Sequence, residues 1–188
     1  MRKAIVSGAT GFIGAAFVKF LTDKGIDVVA LGRKPITEVK NSRRKKLTLA
    51  KYINLDMKEI GNLHKRLHEI SWDVGVECVF FHLAWGGVDG LSDLDIKAQM
   101  QNIGWSVNAL EESVAIGCNR FIQVGTMEEA FTYKYLELDH HKNNEYNRHV
   151  IYSIAKIAAK NALALKASNL DIDYIYVLHS HVMGEDDD

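Results

Sequence analysis

The stretch Lys3-Ala4-Ile5-Val6-Ser7-Gly8-Ala9-Thr10-Gly11-Phe12-Ile13-Gly14 constrains the fold more than any other part of the chain. A short apolar run breaks at Gly8, and Gly11 and Gly14 follow at intervals of three. Phe12, Ile13, Ala16, Phe17, Phe20 and Leu21 then recur at helical spacing, which predicts an amphipathic helix with those residues on its buried face. Strand, tight turn and helix in this order let backbone N–H groups approach a pyrophosphate, because glycine has no Cβ to obstruct it and tolerates positive φ. The helix N-terminus adds partial positive charge. The spacing is G-x-x-G-x-x-G rather than the G-x-G-x-x-G of the standard dinucleotide fingerprint.

With 188 residues, 47% of them hydrophobic and 25% charged, the chain has material for one domain with a substantial core. A net charge of -1 gives no global attraction to nucleic acid or to a membrane surface, and no apolar run approaches the length of a span. The sequence enters its first strand at once, so no signal peptide is expected. Cys78 and Cys118 read as buried free thiols whose spacing suits no metal site. A cytoplasmic setting is the default expectation.

Further along, Lys24-Gly25 ends the first helix and Ile26 to Leu31 forms strand 2. Its tip is Gly32-Arg33-Lys34, where a dinucleotide site usually has an acidic residue for the adenosine ribose. Arg33 could pair with a 2′-phosphate, which favours NADP over NAD; a solvated loop arginine is the competing reading. The cluster Lys40, Arg43, Arg44, Lys45 and Lys46 reads as a solvated loop. Tyr52 to Asp56 reads as strand 3, with Asp56 capping a helix from Met57 to about Ile70.

The nearly continuous apolar run from Val76 to Leu83 suits a buried parallel strand ending in His82-Leu83-Ala84. His82 reads as a hydrogen-bonded structural residue, and Gly86-Gly87 as a flexible loop. Ile96, Met100, Ile103, Val107, Leu110 and Val114 predict a helix with a narrow apolar seam packed on the sheet. Strand 5 runs from Asn119 to Val124. Ala130 to His149 reads as a loop over the cleft, with His140 and His141 as a solvent-exposed pair. Residues 151, 154, 155, 158, 159, 162 and 163 define a further helix, with Tyr152 and Lys156 one turn apart beside that face. Ile172 to Leu178 is strand 6. Alternating strands and helices predict an α/β chain: a Rossmann-like doubly wound parallel sheet with helices on both faces, spanning 1–188 as one dinucleotide-binding domain.

Four motifs, in order, resemble those of the extended short-chain dehydrogenase/reductase family of nucleotide-sugar epimerases, dehydratases and reductases. They are the loop Gly8-Ala9-Thr10-Gly11-Phe12-Ile13-Gly14, the strand end His82-Leu83-Ala84, the hydroxyl of Thr126 after strand 5, and Tyr152-x-x-x-Lys156. The resemblance implies an NAD(P)-dependent oxidoreductase or epimerase acting on a nucleotide-activated sugar, with Thr126, Tyr152 and Lys156 as its catalytic residues. It assigns cofactor binding to Gly8, Thr10, Gly11, Phe12, Ile13, Gly14, Asp56, Leu83 and Ala84, together with Tyr152 and Lys156; Arg33, read from its own position, joins them, the cofactor being NADP or, alternatively, NAD. Asp56 would then touch the adenine amino group, and Asn102 would support the active-site helix.

The family also implies a homodimer through the seam helix and the Tyr-bearing helix, and a further C-terminal substrate lobe that these 188 residues do not include. In a family site Lys156 would lower the pKa of Tyr152 from its usual value near ~10. Two departures matter. His181 and Met183 stand where the family commonly has Asn and Tyr, and Met127-Glu128 replaces the Asp-Glu of the sugar dehydratases. An epimerase or keto-sugar reductase therefore ranks above a dehydratase. A non-catalytic NAD(P)-binding regulator and a reductase of small ketones or aldehydes are the rivals.

Overall fold

The computed structural model describes residues 2–75, 77–87, 92–137 and 149–184. Six strands form one parallel sheet: β1 (Lys3–Ser7), β2 (Asp27–Gly32), β3 (Lys51–Asn54), β4 (Cys78–His82), β5 (Arg120–Val124) and β6 (Asp173–Val177). Their order is β3-β2-β1-β4-β5-β6. The register pairs Ser7 with Leu31 on one side and with His82 on the other. The order reverses between β1 and β4, and at such a switch point the loops leaving the strands' C-terminal ends diverge and open a crevice.

The helices are α1 (Phe12–Asp23), α2 (Asn41–Lys46), α3 (Leu63–Glu69), α4 (Ile96–Ala115), α5 (Thr132–Glu137) and α6 (Val150–Leu170). Alternate strand residues feed two cores, as the twofold period of a strand requires. Ile5, Val29, Leu31, Phe80 and Phe121 pack with residues of α3, α4 and α6. Ala4, Val6, Val28 and Ala30 pack with Ala15, Val18 and Leu21 of α1 and with Leu47 after α2. This is the expected Rossmann-like architecture. The second core stops short of the β6 edge, where Ile175 and Val177 are exposed.

Several local expectations change. The buried face of α1 is Gly14, Ala15, Val18 and Leu21, while Phe20 is 55% exposed. Small residues win that face because they let the helix lie close against the turn; a Cβ on Gly14 would run into the Gly8 carbonyl oxygen. The predicted helix from Met57 starts as a 3-10 turn, Met57–Asn62, with Glu59 outside helical geometry, before α3 begins. On α4 the deeply buried stripe is Gln99, Asn102, Ser106, Ala109 and Ser113, alongside Leu110; Ile96 at the head of the apolar seam is exposed. The loop expected over 130–149 contains α5, and His140 and His141 lie outside the described residues. No helix among the described residues is long and apolar enough to cross a membrane.

Candidate functional site

Gly8 leaves β1 with φ of 69°, and a Cβ there would sit 2.7 Å from the Ala84 nitrogen. Only glycine lets the two loops that frame the crevice approach so closely. Gly11 is the N-cap of α1 and offers no side-chain cap, and no acidic residue occupies the first turn. The first amides of α1 are thus left with positive character that no side chain satisfies. Above them is a cavity of about 520 Å³ lined by Gly8, Thr10, Gly11, Arg33, Asp56, Leu83, Ala84 and Trp85, among others. Phe12, Ile13 and Gly14 form the first turn behind this wall and do not line the cavity.

Arg33 is exposed at the β2 exit, on the cavity rim. The Asp56 carboxylate accepts from the Lys58 amide at 3.1 Å while also lining the cavity, so it is a cap and a wall at once. The basic cluster is solvent-facing, as expected, but not a loop: Asn41–Lys46 is helical, and Arg43 reaches the Thr10 carbonyl at 3.4 Å from a half-buried position. Sequence spacing gave no sign of this because α2 is too short to show a period.

Thr126, Tyr152 and Lys156 meet at the ends of β5 and α6, beside the cavity but not in its lining. Thr126 is buried, lies on the Tyr152 side of the corner, and caps the Met127–Phe131 turn by accepting from the Glu128 amide at 3.3 Å. Lys156 is 6% exposed and donates to the Val124 carbonyl at 3.2 Å. Its ammonium lies 3.9 Å from the centre of the Trp85 ring, and Trp85 meets Tyr152 edge-on at 6.0 Å.

The electrostatics of this corner follow from burial. Desolvation pulls Lys156 down to about 7, with the Glu129 carboxylate opposing it. Desolvation pushes Tyr152 up to about 12, helped by Glu129 and Glu128 and opposed by the nearby Thr126 hydroxyl. The depression of Tyr152 by Lys156 that the family resemblance led one to expect is therefore not seen; the lysine points at Val124 and Trp85, and two carboxylates face the phenol. Glu129 accepts from the Thr126 amide at 3.0 Å and from the Tyr176 hydroxyl. Glu128 accepts from Tyr135 at 2.5 Å and pairs with His149 at 3.0 Å.

His82 is structural. It is buried between the Ser7 and Ser106 hydroxyls, each at 2.9 Å, and burial with nearby Lys156 lowers its pKa to about 3. Ser7 in turn accepts from the Ala84 amide at 3.3 Å, fixing the loop. Gly86-Gly87 is clamped rather than free. The Asn102 amide brackets Gly86 from both sides, at 2.6 and 3.0 Å, and Gln99 joins the Gly86 carbonyl to Asp93. Trp85, Gln99, Arg43 and Glu129 escaped the sequence reading. One signal for Gln99 was present: residues 99, 102, 106, 109 and 113 form a polar and small stripe at helical spacing beside the apolar one.

The sequence profile of the NAD dependent epimerase/dehydratase family matches residues 4–188. No individually curated protein matches. Among solved structures, the Bordetella bronchiseptica enzyme WbmH in complex with NAD+ is 17% identical, with a TM-score of 0.68 over 98% of this chain and 57% of that one. UDP-glucose 4-epimerase of Thermus thermophilus in complex with NAD is 17% identical, with a TM-score of 0.67 over 93% of this chain and 53% of that one. UDP-N-acetylglucosamine 4-epimerase from Bacillus cereus is 15% identical, with a TM-score of 0.68 over 99% and 56%. The chain spans a little over half the length of these proteins, and at such identities the likeness shows the fold. The family match, together with the glycine turn at the β1/β4 switch point, leads to one conclusion: the chain belongs to the NAD dependent epimerase/dehydratase family.

Proposed function

We propose that residues 1–188 are the dinucleotide-binding domain of an NADP-dependent enzyme that reduces or epimerises a nucleotide-activated sugar by hydride transfer. The carrying observation is the arrangement at the strand ends: an uncapped helix N-terminus above Gly8 and Gly11, adjoining a buried Thr126 that faces the half-buried Tyr152, with Lys156 one turn away. The residues present fit a dinucleotide. The cavity holds about 520 Å³, glycines line its floor, and the first turn of α1 carries no acidic residue to repel a phosphate. The cofactor supplies or accepts the hydride; this chain binds, orients and moves the proton.

In this reading Gly8, Thr10 and Gly11 hold the pyrophosphate, with Phe12, Ile13 and Gly14 shaping the helix start behind it. Asp56 faces the adenine end, and Leu83 and Ala84 form the opposite wall. Arg33 favours the 2′-phosphate of NADP through its planar fork. The related structures that name a cofactor name NAD, so this preference is the point on which the chain would depart from them. Tyr152 exchanges a proton with the sugar oxygen, Thr126 orients that oxygen, and Lys156 holds the nicotinamide ribose. The sugar and nucleotide contacts would come from further chain, as the related structures are longer.

A homodimer through α4 and α6 is part of the proposal. Met100, Ile103 and Val107 on α4, and Ile151 and Ile154 on α6, remain only half-buried. The rival regulatory reading is favoured by one fact, that the cavity stops at Trp85 short of Tyr152 and Lys156. Titration with NADPH and NADH, followed by nicotinamide fluorescence, and then assay of UDP-4-keto-sugar reduction and UDP-sugar epimerisation, separate these. Tighter NADPH binding with turnover supports the proposal. Binding without turnover on a full-length version supports the regulator, and tighter NADH binding removes the role of Arg33.

A further inference from the structure

Trp85 closes the inner end of the cavity. Its indole is in contact with the Lys156 ammonium at 3.9 Å, a separation that leaves no room for a group between them. Its N–H donates to the Gln99 side-chain oxygen at 2.8 Å. The same ring lines the cavity on its outer side and meets Tyr152 on its inner side. The indole therefore covers Lys156 and stands beside Tyr152, between them and the cavity.

The backbone carrying Trp85 is fixed while its side chain is not. Ala84 is tied to Ser7, and Gly86 is bracketed by the buried Asn102 amide. Gly87 has φ of 150°, and a Cβ there would lie 2.7 Å from Gln99 Nε2 and 2.8 Å from Asp93 Oδ2. The loop cannot slide without breaking this set of bonds. The indole is held by one hydrogen bond, one cation–π contact and the edge-on contact with Tyr152, all of them to side chains, so it can leave by rotating about its own χ angles.

We infer that Trp85 is a gate on the nicotinamide subsite: it must swing off Lys156 before the redox half of a dinucleotide can reach Thr126, Tyr152 and Lys156, while the adenylate half docks with the gate shut. This rests on the dinucleotide reading above. It makes Trp85 a residue that taxes binding of the whole dinucleotide and leaves its adenylate half untouched, because the closed state competes only with the inner ligand group.

The test compares Trp85→Ala with the unmodified chain, using NADP+ and 2′,5′-ADP as probes by calorimetry, with NAD+ and ADP in parallel. The expected result is that Trp85→Ala binds the whole dinucleotide on the order of tenfold more tightly. The adenylate half should bind within twofold of the unmodified chain, as a site remote from the change requires. Unchanged or weaker dinucleotide binding, with the half unaffected, overturns the gate; weaker binding would make Trp85 a stacking platform. If neither probe of either pair binds the unmodified chain, the dinucleotide reading itself fails and the gate falls with it.

A second measurement leaves Trp85 in place. In a Trp72→Phe, Trp105→Phe chain, the emission of Trp85 should change on adding NADP+ and stay constant on adding 2′,5′-ADP. The same response to both probes, or to neither while both bind, overturns the proposal.

Discussion

The two halves of the crevice are built on different principles. The half proposed to take the adenylate is open and made largely of backbone: Gly8, Gly11, the α1 amides and the strand ends, with Arg33 and Asp56 at the rim. The half around Thr126, Tyr152 and Lys156 is made of side chains: Thr126 and Lys156 are buried, Tyr152 is half-buried, and Trp85 rests on Lys156. A backbone cradle needs only glycine at the right places, so it can stand ready in an open crevice. A proton-transfer corner needs displaced pKa values, and those require burial. Burial here has gone far enough to hold Tyr152 protonated and to bring Lys156 near neutrality.

The sharpest way to separate the halves is Tyr152→Phe. It should lower turnover by about 10²- to 10⁴-fold, the usual range for a positioned acid–base group, while dinucleotide affinity stays within a few-fold. Steady-state rates and a binding titration on the same preparation check this, and unchanged turnover would sink the assigned role. Gly8→Ala should strike the other half. Positive φ and the close Ala84 backbone together predict a loss of about 3 kcal/mol, read as a lower urea midpoint, with dinucleotide binding reduced as well. A variant that keeps both stability and affinity would show that the loops have room to part.

Arg33→Ala should be smaller and more selective. Affinity for NADP+ should fall by about tenfold, as for one charge-assisted contact at an exposed site, with NAD+ unchanged. An equal loss for both would make Arg33 a general anion attractor.

A further effect is on pH dependence. Lys156 titrates near about 7 when folded, whereas an unfolded lysine titrates near about 10.4. Between those values the unfolded chain holds a proton that the folded chain has released, so stability rises with pH across that window. At about pH 6 and below, the buried ammonium is present in full and weakens the fold. Lys156→Met should therefore flatten the rise between about pH 7 and 10 and gain stability at about pH 6. Denaturant midpoints across this range decide it, and parallel curves would contradict it. Above about pH 10 the tyrosines reverse the trend, because Tyr152 and Tyr52 hold their protons to about 12. His82, lowered to about 3, extends loss of stability into acid below about 6.5, and His82→Asn should reduce that loss.

The open half was the legible one. The strand–turn–helix from Lys3 to Gly14, the absence of a carboxylate at the β2 exit and the capping role of Asp56 are properties of short segments. They follow from glycine conformation, charge and strand periodicity, which a sequence displays directly. The closed half was legible only as a motif. Tyr152 and Lys156 were found by spacing, but not that the Lys156 ammonium rests on Val124 and Trp85 and lies 5.7 Å from the centre of the Tyr152 ring. Those facts depend on α4, α6 and the β4 exit converging, over sequence separations that no local pattern records.

The sequence by itself determined an alternating α/β chain, a glycine turn at its first strand end and the order of its motifs, because each is set by backbone freedom and apolar period within a few residues. The tertiary structure decided which stripe of α4 faces inward, that α2 brings Arg43 against the glycine loop, and that one indole separates the two halves of the crevice. Helix faces carrying two competing stripes, and side chains whose partners lie on other elements, are settled only when the pieces pack and every buried polar group must find a partner.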